Sequence, residues 1–357
     1  MKRIFTSDCE GPISKNDNAY EITAYYIPNG GKLFTVISRY DDVLADIVKR
    51  EGYKAGDTLK LILPFLKAYG VTDKMMQDFS AKSLILIPNS KETLAYIKKI
   101  APAFIVSTSY EHYLRALCEY MEFPYENVFC TKVCLDKYEL SHSERQRLIE
   151  LANEIANMPI MDIPKDAKCL SDLPELYRDI IKRLDEIFWK EIAKMSIGKI
   201  FNDVNPMGGK EKAIAIMQIC EKLNINLDNV VYVGDSITDV EALTLVRDGG
   251  GLAVAFNGNR YAVKNADVAI LSETSLAIAV VAELFLRHGK DVTLKVVEKW
   301  SEKTLQEGRV VNETLLQKIR TSNIKIAAVK EDNIELLIEE SEAFRKIVRG
   351  EAVGGLG

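Results

Sequence analysis

Asp8 and Glu10 stand one residue apart directly behind a short apolar run in "RIFTSDCEGP", and the strand-breaking pair Gly11 and Pro12 follows at once. A second set of spaced carboxylates, Asp235 and Asp239, follows another apolar run in "VVYVGDSITD". Between the two, "AFIVS" ends in Ser107, and "NPMGGKEKA" carries Lys210 at the start of a helical pattern, where Gly208 and Gly209 let the backbone turn sharply. Carboxylates gathered at one place repel one another and call for a cation. The three histidines and six cysteines include no CxxC and no matching set of nitrogen and sulfur ligands, so oxygen must hold any metal. Hard oxygen ligands point to Mg2+, which keeps several waters and takes one or two carboxylates directly. Mg2+ beside an aspartate suggests phosphoryl chemistry, in which the carboxylate attacks phosphorus and forms an aspartyl-phosphate. Lys210 supplies the positive charge such a site also needs.

Each piece has a plainer reading on its own. Asp8 and Glu10 suit a solvated strand end, Ser107 a helix cap, and Lys210 a surface lysine on a first helical turn. The spaced carboxylates of "GDSITD" behind a strand-terminal glycine have no comparable packing explanation, and the four pieces must be brought together by the elements that carry them.

Five apolar runs, at 3–7, 103–107, 230–234, 251–256 and 268–271, read as buried strands of a parallel sheet covered on both faces. Helical patterns alternate with them. "NSKETLAYIKKI" spaces Leu94, Ile97 and Ile100, and "KEKAIAIMQICEKLN" spaces Ile214, Met217, Ile219 and Leu223. The alternation predicts a doubly wound α/β sheet, whose strand ends would bring Asp8, Glu10, Ser107, Asp235 and Asp239 to one crevice. The core is expected in residues 1–14, 85–138 and 200–285. Two helical segments, 15–84 and 139–199, interrupt it. After about residue 286 the pattern is helical and charged, and it ends in a tail, "GEAVGGLG", expected to be disordered.

Taken in order, Asp8-x-Glu10-Gly11, the strand ending in Ser107, Lys210 before a helix, and "GDSITD" resemble the four motifs of the haloacid dehalogenase (HAD) superfamily. The "DCEGP" start is similar to that of an archaeal group of HAD-like proteins. The resemblance covers the sheet, about half of the chain. It implies an α/β HAD-type Rossmannoid core with helical cap insertions and a helical C-terminal extension. It also implies Asp8 as nucleophile and metal ligand, Ser107 as a donor to the transferring phosphoryl group, and Lys210 as the orienting cation. Asp235 and the Glu10 backbone carbonyl would complete a Mg2+ site that Asp239 joins directly or through water. Where the phosphatases of the superfamily carry Asp as general acid/base, this chain has Glu10. Its extra methylene shifts the carboxyl by about a C–C bond, and a misplacement of ~1 Å can cost ~100-fold in rate.

By position, 15–84 corresponds to a C1 cap, which favours a small phosphorylated metabolite. The 139–199 segment stays open between a second lid and a dimerisation element. Tyr25, Tyr26 and Tyr40 suit either a lid or its core, and Tyr110, His112 and Arg115 a helix surface or the cleft. At 357 residues, 47% apolar and 28% charged, with a formal net charge of −5, the chain reads as an ordinary globular protein. Nothing in that charge favours nucleic acid or an anionic membrane. Without an apolar run of spanning length or a signal-peptide pattern, the expectation is a cytoplasmic protein. The expected activity is that of a Mg2+-dependent phosphohydrolase. The alternative is a weakly or non-catalytic binding or regulatory protein that contacts a homo-oligomeric or other protein partner through its helical lobes. Dehalogenation and phosphonate cleavage are disfavoured, because Glu10 keeps an acid/base carboxyl.

Overall fold

Seven strands form one sheet in a computed structural model that describes residues 2–164, 167–300, 313–319 and 323–355. They are β1 (Ile4–Ser7), β2 (Ala103–Tyr110), β3 (Val128–Thr131), β4 (Val230–Gly234), β5 (Leu252–Phe256), β6 (Val268–Ser272) and β7 (Ile324–Ala328). The spatial order is β3-β2-β1-β4-β5-β6-β7. Strands β1 to β6 pair in parallel, and β7 closes the edge antiparallel to β6. From β1 the chain winds outward through β2 and β3, then returns across β1 to β4. This reversal makes the C-terminal ends of β1 and β4 the switch point of the sheet. Phe5 lies in register with Ala103 on one side and Val231 on the other, so the residues that follow β1 and β4 emerge beside the last residues of β2.

The five expected strands are present, and two more accompany them. "VFCT" is short, and "IKIAA" alternates apolar and polar residues as an edge strand with one wet face does, so neither shows the continuous apolar signature of the central strands. The helical expectation for the region after residue 286 is therefore corrected by β7. The expected disorder of the tail is corrected too: Glu351–Gly354 is helical and the Gly355 carbonyl accepts from Arg39 Nη2 at 2.7 Å, while residues 356–357 lie outside the described residues.

Apolar side chains cover both faces of the sheet, with Phe5, Ile105, Val231 and Val254 on one and Ile4, Val106, Tyr232 and Ala253 on the other. A third apolar core lies outside the sheet and draws on both helical segments. Ile37, Leu44, Leu63 and Phe65 of the first pack with Leu148, Leu151, Leu184 and Phe188 of the second. The joint is also polar. Arg50 binds Asp185 at 2.7 Å, the Tyr40 hydroxyl donates to the same carboxylate, and Trp189 Nε1 donates to Tyr40 at 2.9 Å. Tyr40 is accordingly a core residue, whereas Tyr25 is exposed. The two segments build one helical body with a common core.

Candidate active site

Asp8 follows β1, and its amide continues the ladder by donating to the Val233 carbonyl at 2.8 Å. Its carboxylate is buried. Oδ1 accepts from the Cys9 amide at 2.6 Å, and Oδ2 accepts from Lys212 Nζ at 2.6 Å. The same ammonium reaches Asp239 Oδ1 at 2.7 Å, where the Tyr232 hydroxyl also donates at 2.6 Å. Asp239 Oδ2 accepts from the backbone amides of Asp235 and Ser236 at 2.9 and 3.0 Å. Asp239 thus spends both oxygens on holding Lys212 and the turn that presents Asp235.

The ammonium that meets Asp8 is therefore that of Lys212, and the expected placement of Lys210 beside it is corrected. The Lys210–Leu223 helix buries Ala215, Ile216, Ile219 and Cys220, and Lys212 lies on that face, three and four residues before the first two. Lys210 shares its side of the helix with the exposed Ile214 and Met217 and points to solvent.

Burial pushes the Asp8 carboxyl up to about 7 against the pull of Lys212, with Asp239 and Asp235 adding to the rise. Burial alone would depress Lys212, but Asp239 and Asp8 outweigh it and hold the ammonium above the ordinary lysine range. Asp239, despite its own burial, is held below the ordinary carboxylate range by Lys212. The lysine stays charged between them.

Glu10 turns toward the first helical segment, where its Oε1 accepts from the Asn18 amide at 2.7 Å, in the first turn of the Asn18–Tyr26 helix. Burial, and then the neighbouring Asp17, lifts its carboxyl well above the usual range. Gly11 has φ of 101°, and a Cβ there would lie 2.2 Å from Asp235 Oδ2. The glycine after Glu10 is what lets the backbone pass this carboxylate.

Asp8, Glu10 and Asp235 line one cleft at the sheet's switch point. Ser107, expected at a strand end, is fully buried within β2, which runs three residues further, and accepts from the Ser109 amide at 3.3 Å. The hydroxyl lining the cleft from this strand is its neighbour, Thr108. From the first helical segment come Phe34, Ser38, Asp41, Asp42, Gly56 and Thr58. Among the described residues, none of 139–199 lines it, so the second segment supports the first from behind. The cap loop docks closely on the core: a Cβ at Gly208 would lie 2.3 Å from the Ala55 carbonyl, which gives the glycine before Lys210 a packing role. His112 is buried outside the cleft and meets Asp73 of the cap at 3.1 Å, and Tyr110 donates to the Leu59 carbonyl at 2.6 Å.

Three residues missed by sequence reasoning complete the picture. Tyr232 anchors Asp239, while Arg345 and Arg349 reach the cleft from the Ile334–Arg349 helix, each with Nη1 on Asp235 Oδ2. Leu337, Ser341 and Arg345 repeat every fourth residue along the buried side of that helix and Arg349 continues the row, a spacing that marks an inward side but not the partner it meets.

Carboxylate oxygens of Asp8, Asp235 and Asp239 all lie within 4.8 Å of one another, a buried, oxygen-only donor set that fits a hard divalent cation. Among the described residues no helix is long and apolar enough to cross a membrane.

A family model described as haloacid dehalogenase-like hydrolase matches residues 55–281, which include Ser107, Lys212, Asp235 and Asp239 and begin after Asp8 and Glu10. Among solved structures, the chain is similar to gene product AF1437 from Archaeoglobus fulgidus, at 30% identity and a TM-score of 0.81, over 100% of this chain and 99% of that one. It is also similar to a phosphoserine phosphatase in its apo form, at 14% identity and a TM-score of 0.48, over 81% of this chain and 100% of that one. Among curated proteins nothing matches the chain.

Proposed function

The chain belongs to the haloacid dehalogenase-like hydrolases, and from that premise we propose that it hydrolyses a small phosphate monoester through an aspartyl-phosphate on Asp8. The observation that carries the reading is the buried Asp8–Lys212–Asp239 chain opening onto a cleft that also holds Glu10.

Lys212 fixes one oxygen of Asp8 and the Cys9 amide fixes the other, so the carboxylate approaches phosphorus in a set orientation and loses little freedom on attack. In the first half-reaction Asp8 forms a bond to phosphorus as the ester P–O bond breaks, and Glu10 gives its proton to the departing oxygen. In the second, Glu10 takes a proton from water. That water adds to phosphorus, the Asp8–phosphorus bond breaks, and phosphate leaves with Asp8 restored. Burial lifts the Glu10 carboxyl well above the usual range, the direction that favours proton donation in the first step. Asp8, Asp235 and the Glu10 backbone carbonyl would hold Mg2+, with Asp239 acting through Lys212 and the Asp235 turn. When bound, Mg2+ would neutralise charge on the phosphoryl oxygens.

The helical cap supports a small substrate, since Phe34, Ser38 and Leu59 of the cap line the cleft together with Asp8 and Glu10. The test is phosphate release from a panel of small phosphorylated metabolites and a generic aryl phosphate, with Mg2+ or with chelator. Release that requires the cation supports the proposal, and its absence across the panel speaks against it. A second reading, a binding protein with little turnover, draws on the ion pairs that Arg345 and Arg349 make with Asp235. Mg2+ and phosphate binding without hydrolysis would favour it.

A further inference from the structure

Asp235 is gripped by a helix from beyond the last strand of the sheet. Arg345 Nη1 donates to the Asp235 backbone carbonyl at 3.2 Å and also to its carboxylate, and Arg349 Nη1 reaches the same oxygen, Oδ2, at 3.1 Å. Both side chains are almost wholly buried. Arg349 is fixed further by Nε on the Lys15 carbonyl at 3.1 Å and by Nη2 on the Asn16 carbonyl, so each of its side-chain nitrogens has a protein acceptor. The two charges also reach the neighbouring acids: Arg349 draws down the carboxyls of Glu10 and Asp17, and Arg345 that of Asp17.

Asp235 belongs with Asp8 and Asp239 to the oxygen donor set that fits a hard divalent cation. Each member of that set already meets a side-chain cation. Lys212 takes Asp8 and Asp239, and the two arginines take Asp235. An opposite charge within about 4–6 Å changes a carboxylate's affinity for a proton by about ten- to a thousandfold. The same attraction counts against any other cation that would use the oxygen, and burial limits its screening by salt. A divalent ion among the three carboxylates would therefore have to share Asp235 with two guanidinium groups and would be repelled by both.

We propose that Arg345 and Arg349 are positioning residues of the cation site, which hold the Asp235 carboxylate in place and compete with the divalent cation for it. The Ile334–Arg349 helix thereby sets the Mg2+ affinity below what the carboxylates alone would give. The role of Asp235 as a cation ligand rests on the phosphohydrolase reading; the competition rests on the ion pairs.

Calorimetric titration of the full chain with Mg2+ alone tests the proposal. Two cations meet one carboxylate, so removing either leaves Asp235 paired, and circular dichroism should show the single variants folded. Arg349→Ala and Arg345→Met should each bind Mg2+ about tenfold or more tightly than wild type. A merely structural loss would loosen the site instead, so tightening is the distinguishing sign. Arg349→Lys, which keeps the charge, should stay within about threefold of wild type. So should Lys346→Ala, which removes the same charge from an exposed position on the same helix. If one neutral variant does not fold, the other carries the test. Mg2+ affinity unchanged or weaker in the neutral arginine variants would overturn the proposal, as would equal tightening in Lys346→Ala or no Mg2+ binding by any of the chains. Phosphate release is followed separately. Tightening in a chain that hydrolyses no ester would leave the competition standing and sink the hydrolase reading, whereas hydrolysis with unchanged Mg2+ affinities would do the reverse.

Discussion

Lys212 places its ammonium 2.6 Å from Asp8 and 2.7 Å from Asp239, with no side-chain surface exposed to solvent. A charge so buried is tolerated because both of its partners are charged and hydrogen-bonded in turn. Removing it would strand two carboxylates in the interior, at a cost of about 3–5 kcal/mol. Lys212→Ala should therefore destabilise the fold by that amount and abolish activity. Lys210→Ala, two residues earlier and exposed, should change stability by less than about 0.5 kcal/mol. Denaturant unfolding of the two variants together checks this, and equal effects would speak against the assignment of Lys212.

Glu10 serves two neighbours, the cleft and the Asn18 amide. Glu10→Gln retains an acceptor for the amide and removes the proton donor. It should lower kcat by about 10²- to 10⁴-fold with KM little changed. Glu10→Asp should also be slower, since the shorter side chain cannot keep both positions. Steady-state kinetics decides, and a faster Glu10→Asp would mean that glutamate is a handicap here.

How much of this was legible in the sequence depends on whether a residue's neighbours were local. Asp8, Glu10, Asp235 and Asp239 follow strands that continuous apolar runs reveal, and the switch point then gathers them. The choice between Lys210 and Lys212 depended on which side of one helix is buried. Ile214 and Met217, expected at helical spacing with Ile219, lie with Lys210 about half a turn from the observed core of Ala215, Ile216 and Ile219, whose side carries Lys212. Arg345 and Arg349 meet Asp235 more than a hundred residues away, and no local spacing announces such a contact. The union of the two helical segments into one core was equally non-local, since each reads as an amphipathic set with its partner unspecified.

That union predicts a stability effect far from the chemistry. Asp185 accepts from both Arg50 and the Tyr40 hydroxyl. Asp185→Ala should cost about 1–3 kcal/mol, the penalty for stranding the buried Tyr40 hydroxyl. Limited proteolysis should then cut the 139–199 segment sooner, and an unchanged cleavage rate would argue against its role in supporting the cap.

Asp41, on the cap side of the cleft, predicts a dependence on pH. Burial, and then the nearby Asp57, pushes its carboxyl up to about 7. Because the folded state holds the proton more tightly than the unfolded chain, this group's stabilisation is complete below about pH 4 and is lost as pH rises through about 7. Asp41→Asn keeps an acceptor for the Gly56 amide and removes the titration. Its melting temperature relative to wild type should rise between about pH 5 and pH 8, and a difference flat with pH would refute the shift.

The central claim is that Asp8 is the nucleophile. The direct measurement is phosphate release by wild type and Asp8→Asn side by side, with Mg2+, on whichever phosphate monoester the wild type turns over, with circular dichroism confirming that both are folded. An amide in place of this carboxylate should abolish release. Full phosphatase activity in Asp8→Asn would contradict the account.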